Sequence, residues 1–180
     1  TMTAIMSGVK TRFGVIGVDQ RATRGDCASS KGTEVVSALE LAAAAGLATG
    51  VVTTTRITHA TPAATYGHLP ERNWEVDVEM SDKDRAAGCV DFARQLVDFR
   101  IGDGITVAFG GGRTEFMPAS QQDPEYAGFP GKRLDGRDLV ADWKKQPGAA
   151  YVWNTQQLDA LDLANTRRVL GLFDVEHLKY

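Results

Sequence analysis

The sequence predicts an α/β protein, a mostly parallel sheet flanked by helices on both faces. Two observations carry that prediction. Three short apolar or β-branched runs, at 49–55, 105–109 and 169–173, are bounded by turn residues and read as strands. Stretches with apolar residues at helical spacing lie around and between them, so helix and strand alternate along the chain.

Residues 2–7 read as a short helix stopped by Gly8. Residues 9–19 are glycine-broken and extended, as in a loop that packs, and 20–32 read as exposed loop. Thr33 is placed as the N-cap of a helix carrying Val35, Val36, Leu39, Leu41 and Ala42, with Gly46 at its C-terminal end. The run that follows, Thr49 to Thr55, lacks clean polar alternation and is assigned a central strand. Ser81-Asp82-Lys83-Asp84 has capping chemistry and opens one helix through Cys89, Phe92, Ala93, Leu96 and Val97. The second strand, 105–109, is closed by Gly110-Gly111-Gly112. A weaker helix spans 136–146, a short one starts at Thr155, and 169–173 is the third strand. The Pro-, Gly-, Gln- and Asp-rich stretch 118–136 reads as a long surface loop. There is no internal repeat, and 1–180 is expected to be a single, partial domain.

Composition narrows function. A chain that is 43% hydrophobic and 24% charged supports a packed core rather than disorder. A net charge of −3 and a pI near 5.6 argue against a nucleic acid as dedicated partner. They allow a small anionic substrate, for which one well-placed arginine suffices. No apolar run is long enough to span a bilayer. No signal segment opens the chain, and both ends read as cut from a longer polypeptide. The residues leave open whether Cys27 and Cys89 pair; pairing would contribute about 4 kcal/mol in the loop-entropy model and indicate an oxidising compartment.

Parallel α/β sheets bind ligands beyond the carboxyl ends of their strands, which directs attention to residues 56–64. Thr61 has two readings: an N-cap ahead of Pro62, or an oxygen ligand for a hard cation. His59 is either an ordinary polar loop residue or the holder of a metal-bound water. Arg72 is either a surface arginine paired with Glu71 or Glu75, or a planar donor fork for two phosphate oxygens. His68 reads as solvent-facing. Gly110-Gly111-Gly112-Arg113 fits neither the P-loop nor the dinucleotide spacing and reads as a sharp turn. No two of the three histidines stand at zinc-ligand spacing.

Taken in order, several blocks resemble the alkaline phosphatase family over nearly the whole chain. They are Thr3-Ala4-Ile5-Met6-Ser7-Gly8-Val9-Lys10-Thr11, Ala45 to Thr55, His59-Ala60-Thr61-Pro62-Ala63-Ala64, Arg72-Asn73-Trp74, Phe109 to Arg113 and Leu170-Gly171-Leu172-Phe173. The resemblance implies an alkaline-phosphatase-like fold and hydrolysis of phosphate monoesters through a phosphoserine intermediate. It implies two Zn2+ and one Mg2+, a homodimer, and export to the periplasm or outside the cell. It makes Thr61 a magnesium ligand, His59 a residue acting on that magnesium through water, and Arg72 the phosphate clamp. It also implies a Cys27–Cys89 disulfide. The serine nucleophile would lie just before Thr1 and most metal ligands beyond Tyr180, so the chain alone is expected to be inactive. The alternatives are a metal-dependent sulfatase or phosphodiesterase of the same superfamily, or a non-catalytic anion-binding fragment.

Overall fold

The structure, a computed structural model, describes residues 1–179. Its centre is a four-stranded sheet of β1 (Gly50–Arg56), β2 (Val107–Gly111), β3 (Ala149–Val152) and β4 (Arg168–Leu172). The order is β1-β2-β4-β3 and every pairing is parallel. Helices α1 (Met2–Ser7), α2 (Cys27–Ser30), α3 (Ala38–Ala44), α4 (Ala60–Ala63), α5 (Asp82–Ala86), α6 (Phe92–Val97), α7 (Leu139–Lys144) and α8 (Thr155–Asp159) flank it, with 3-10 turns at Asp77–Glu79 and Arg113–Phe116. Val51, Ala108, Leu170 and Leu172 from the strands join Ile57, Phe92, Leu96 and Trp143 in one core. Each fully buried side chain of this kind contributes about 1.5–3 kcal/mol.

Parallel alternation, the helix at 2–7 and its left-handed Gly8 stop stand as predicted. Other elements are corrected. The helix expected from Thr33 starts later, because Ser37 and Glu40 form a capping box: Glu40 N donates to Ser37 Oγ at 3.1 Å and Ser37 N to Glu40 Oε2 at 2.7 Å. Thr33 and Glu34 instead continue an extended segment bridged to Val18. The loop expected over 20–32 contains α2, where Cys27 is fully buried. The single helix expected from Ser81 to Val97 is two. Ser81 caps α5, Gly88 breaks it at φ +95°, and Asp91 caps α6.

β1 lies at the end of the described sheet rather than at its centre. Its residues alternate, with Val51 buried and Val52 73% exposed. Strand β3 has no counterpart among the three strands expected from the sequence. The stretch 118–136 is without helix or strand, yet Asp123 and Arg133 inside it are buried.

Candidate functional site

The end of β1 sets the site. Arg56 is its last residue, and Ile57 and Thr58 after it are fully buried. The chain turns there, with His59 N donating to Arg56 O at 3.0 Å, and α4 begins. His59 occupies the N-cap position, and its carbonyl accepts from Ala63 N at 2.9 Å. The N-cap reading of Thr61 is therefore corrected. Thr61 lies inside α4 and is exposed, lining a cleft of about 220 Å³ with Met2, Val52 and Thr65. No hydrogen bond joins its side chain to His59 or Arg72 among the described residues.

His59 and Arg72 do come together: His59 Nε2 lies 3.4 Å from Arg72 Nη2. Burial holds the His59 imidazole below its ordinary range; Arg56 and Arg72 push the same way and Glu75 opposes them. A neutral ring is the species compatible with a guanidinium at that distance. His59 Nδ1 is buried without a partner among the described residues. The carboxylates expected to neutralise Arg72 are taken elsewhere. Glu71 holds Arg24 at 2.8 and 3.0 Å, and Glu75 holds Arg56 at 2.7 and 2.9 Å. Arg72 is anchored through its backbone, its N–H donating to Gly14 O at 2.8 Å, while its half-buried guanidinium makes no ion pair among the described residues.

A charged network backs this pair. Arg56 Nη1 donates to Glu176 Oε2 at 2.8 Å, and Lys132 bridges Glu115 and Glu176 at 3.0 and 2.9 Å. Burial lifts the Glu115 carboxyl to about 7 against the pull of Lys132. The His177 ring meets His59 edge-on at 5.5 Å between centroids. Sequence reading gave Arg56 and His177 no role and considered Glu75 only as a surface partner of Arg72, whereas it pairs with Arg56. Arg56 had a usable signal, its place at the carboxyl end of a strand; His177 is too distant in sequence to have had one.

The glycines at 110–112 serve packing. A Cβ on Gly111 would stand 1.8 Å from Glu176 O, so the strand end passes directly against residues 174–177. His68 is not solvent-facing. Its ring is mostly buried, with Nδ1 2.7 Å from Gly17 O and Nε2 2.9 Å from Glu40 Oε1. Cys27 and Cys89 are joined in a disulfide closing a separation of 62 residues.

A parallel sheet with polar side chains gathered beyond a strand's carboxyl end is the plan of an α/β ligand-binding protein. The family model described as alkaline phosphatase matches residues 1–180, and the chain belongs to that family. It is 45% identical to the tissue-nonspecific alkaline phosphatase isozyme of Gallus gallus over 187 residues, covering 100% of this chain and 36% of that protein. It is 42% identical to the alkaline phosphatase of Gadus morhua over 186 residues, covering 100% of this chain and 39% of that one. The solved alkaline phosphatase of Thermus thermophilus superposes with a TM-score of 0.69 at 30% identity, over 99% of this chain and 28% of that one. The chain thus spans little more than a third of the length of these curated relatives.

Proposed function

We propose that this chain carries the phosphate-binding arginine and part of the metal site of a phosphate monoester hydrolase. The observation that carries the reading is Arg72. Its guanidinium is half-buried beside a neutral imidazole, and the two carboxylates near it in sequence, Glu71 and Glu75, are committed to other arginines. An arginine so placed keeps its planar fork for an anion, and the fork matches two phosphate oxygens. During transfer of the phosphoryl group that fixed charge would offset the charge building on its oxygens.

The donors present suit a partial metal site. Thr61 offers an exposed hydroxyl of the kind a hard cation takes. The buried, unpartnered His59 Nδ1 is an atom that a bound water would satisfy. No group of three or more His, Cys, Asp or Glu able to hold a metal lies among the described residues. On the family's pattern we assign Thr61 as a ligand of one magnesium and His59 to the same ion through a water, the other ligands and two zinc sites coming from other parts of the enzyme. Bound metal would supply Lewis-acid charge. Homodimer formation and export belong to the same proposal, and the Cys27–Cys89 disulfide suits an oxidising compartment. No helix among the described residues is long and apolar enough to cross a membrane.

The test is inhibition by orthophosphate of the full-length protein acting on a chromogenic phosphate monoester. Arg72→Ala should raise the inhibition constant by roughly 10- to 100-fold, the value of charge-assisted hydrogen bonds, and leave slow turnover. Unchanged phosphate inhibition would remove Arg72 from the site.

A further inference from the structure

We infer that Glu75 is a positioning residue for Arg72, bracing the Arg72 segment against the turn that carries His59. The inference rests on the phosphate-binding reading of Arg72 and adds the device that sets its place. Glu75 lies three residues after Arg72, and its side chain is 6% exposed. Its Oε1 accepts from Arg56 Nη2 at 2.7 Å. Its Oε2 accepts from Arg56 Nε at 2.9 Å and from Thr58 Oγ1 at 2.6 Å. Both donors belong to the turn: Thr58 directly precedes His59, and Arg56 O accepts from His59 N at 3.0 Å.

The segment around Glu75 is itself held. Glu75 N donates to Glu79 Oε2 at 2.7 Å, Ala93 N to Glu75 O at 3.1 Å, and Phe92 N to Trp74 O at 3.1 Å. A guanidinium fork on a carboxylate fixes the plane of the pair as well as its length. The hydroxyl of Thr58 removes the remaining freedom of Oε2. The carboxylate therefore ties the His59 turn to the segment that begins with Arg72, two parts separated by the whole of α4 and the turn after it. Glu75 makes no hydrogen bond or ion pair with His59 or Arg72 among the described residues, so its effect on Arg72 passes through geometry. That matters because displacement of an orienting group by about 1 Å costs on the order of 100-fold in a well-aligned site.

The experiment uses the full-length protein, a chromogenic phosphate monoester as substrate and orthophosphate as inhibitor. It compares wild type, Arg72→Ala, Glu75→Gln, Thr58→Val and the double variant Glu75→Gln with Arg72→Ala. Phosphate inhibition of wild type, weakened in Arg72→Ala, establishes the underlying reading; if either is missing, that reading fails whatever Glu75 does. With it established, Glu75→Gln should raise KM and the phosphate inhibition constant about tenfold, with a smaller change in kcat, and Thr58→Val about threefold. In the Arg72→Ala background Glu75→Gln should add nothing, because a residue that acts by placing Arg72 is silent without it. A folded Glu75→Gln with wild-type phosphate inhibition overturns the inference. So does an undiminished rise on top of Arg72→Ala. Should Glu75→Gln fail to fold, Thr58→Val and its double with Arg72→Ala decide the matter, since the ion pair to Arg56 stays intact there.

Discussion

Arg133 and Arg72 occupy opposite kinds of surroundings. Arg133 is 0% exposed, and its guanidinium is closed on all sides. Nη1 and Nη2 grip Asp91 at 2.9 and 3.0 Å, while Nε and Nη2 grip Asp135 at 3.0 and 2.6 Å. Arg72 is half-buried, with a neutral imidazole at 3.4 Å and no carboxylate in ion-pair reach among the described residues. A closed arginine holds the fold, here by fastening the helix-free stretch 118–136 to the N-cap of α6. An open one has capacity to spare, and spare capacity for an anion is what a binding site needs.

The largest expected effect breaks the closed cluster. Arg133→Met leaves Asp91 and Asp135 buried or half-buried without their cation and should cost about 3–5 kcal/mol. Arg72→Ala should stay within about 0.5 kcal/mol of wild type, as for a side chain with few partners. Urea unfolding of both variants checks the pair of values. Equal costs would erase the distinction between structural and functional arginine.

The disulfide comes next in size. It joins the start of α2 to the turn between α5 and α6, where Cys27 N also donates to Asp84 Oδ1 at 3.3 Å. Replacing Cys27 and Cys89 by serine should cost about 2–5 kcal/mol, read as a lower melting temperature. Phosphate inhibition in the surviving folded fraction should change far less. A variant that keeps its melting temperature but loses phosphate inhibition would move the disulfide from the closed region to the open one.

What the sequence disclosed follows the same division. Local signals were legible: the β-branched run of β1, Gly8 ending α1, the Ser81 cap and the loop beyond β1 that holds His59. Position within the sheet was not, since only pairing shows that β1 lies at the end of the described strands. Ser37 was passed over for Thr33 because Val35 and Val36 imitate helical spacing while lying in an extended segment. Arg72 was found by resemblance, but its isolation was invisible, because it depends on Arg24 and Arg56 claiming Glu71 and Glu75 across the fold. The same distance hid the His177 ring beside His59.

Two histidines, His59 at the site and His68 away from it, sharpen the comparison with a smaller effect. His59 has a ring nitrogen to spare, whereas both nitrogens of His68 face acceptors, Gly17 O and Glu40 Oε1. Two acceptors require two N–H donors, hence an imidazolium. Burial works against that charge, but the hydrogen bonds to Glu40 and Gly17 outweigh it, and Glu34 adds to them, so the His68 pKa is raised. Burial likewise opposes the charge on Glu40, and the His68 ring and Ser37 N–H outweigh it, so its pKa is lowered. Glu40 therefore stays ionised throughout the range in which His68 titrates. A folded pKa above the unfolded value of about 6.5 means that the stabilisation is complete below that pH and is lost as pH rises through the folded pKa. Melting temperatures of wild type and His68→Gln should therefore differ most under mildly acidic conditions and converge as the solution becomes alkaline. A difference that stays flat across that range would mean a neutral His68, with Glu40 or Gly17 O left short of a donor, and the closed region would then be less closed than its geometry indicates.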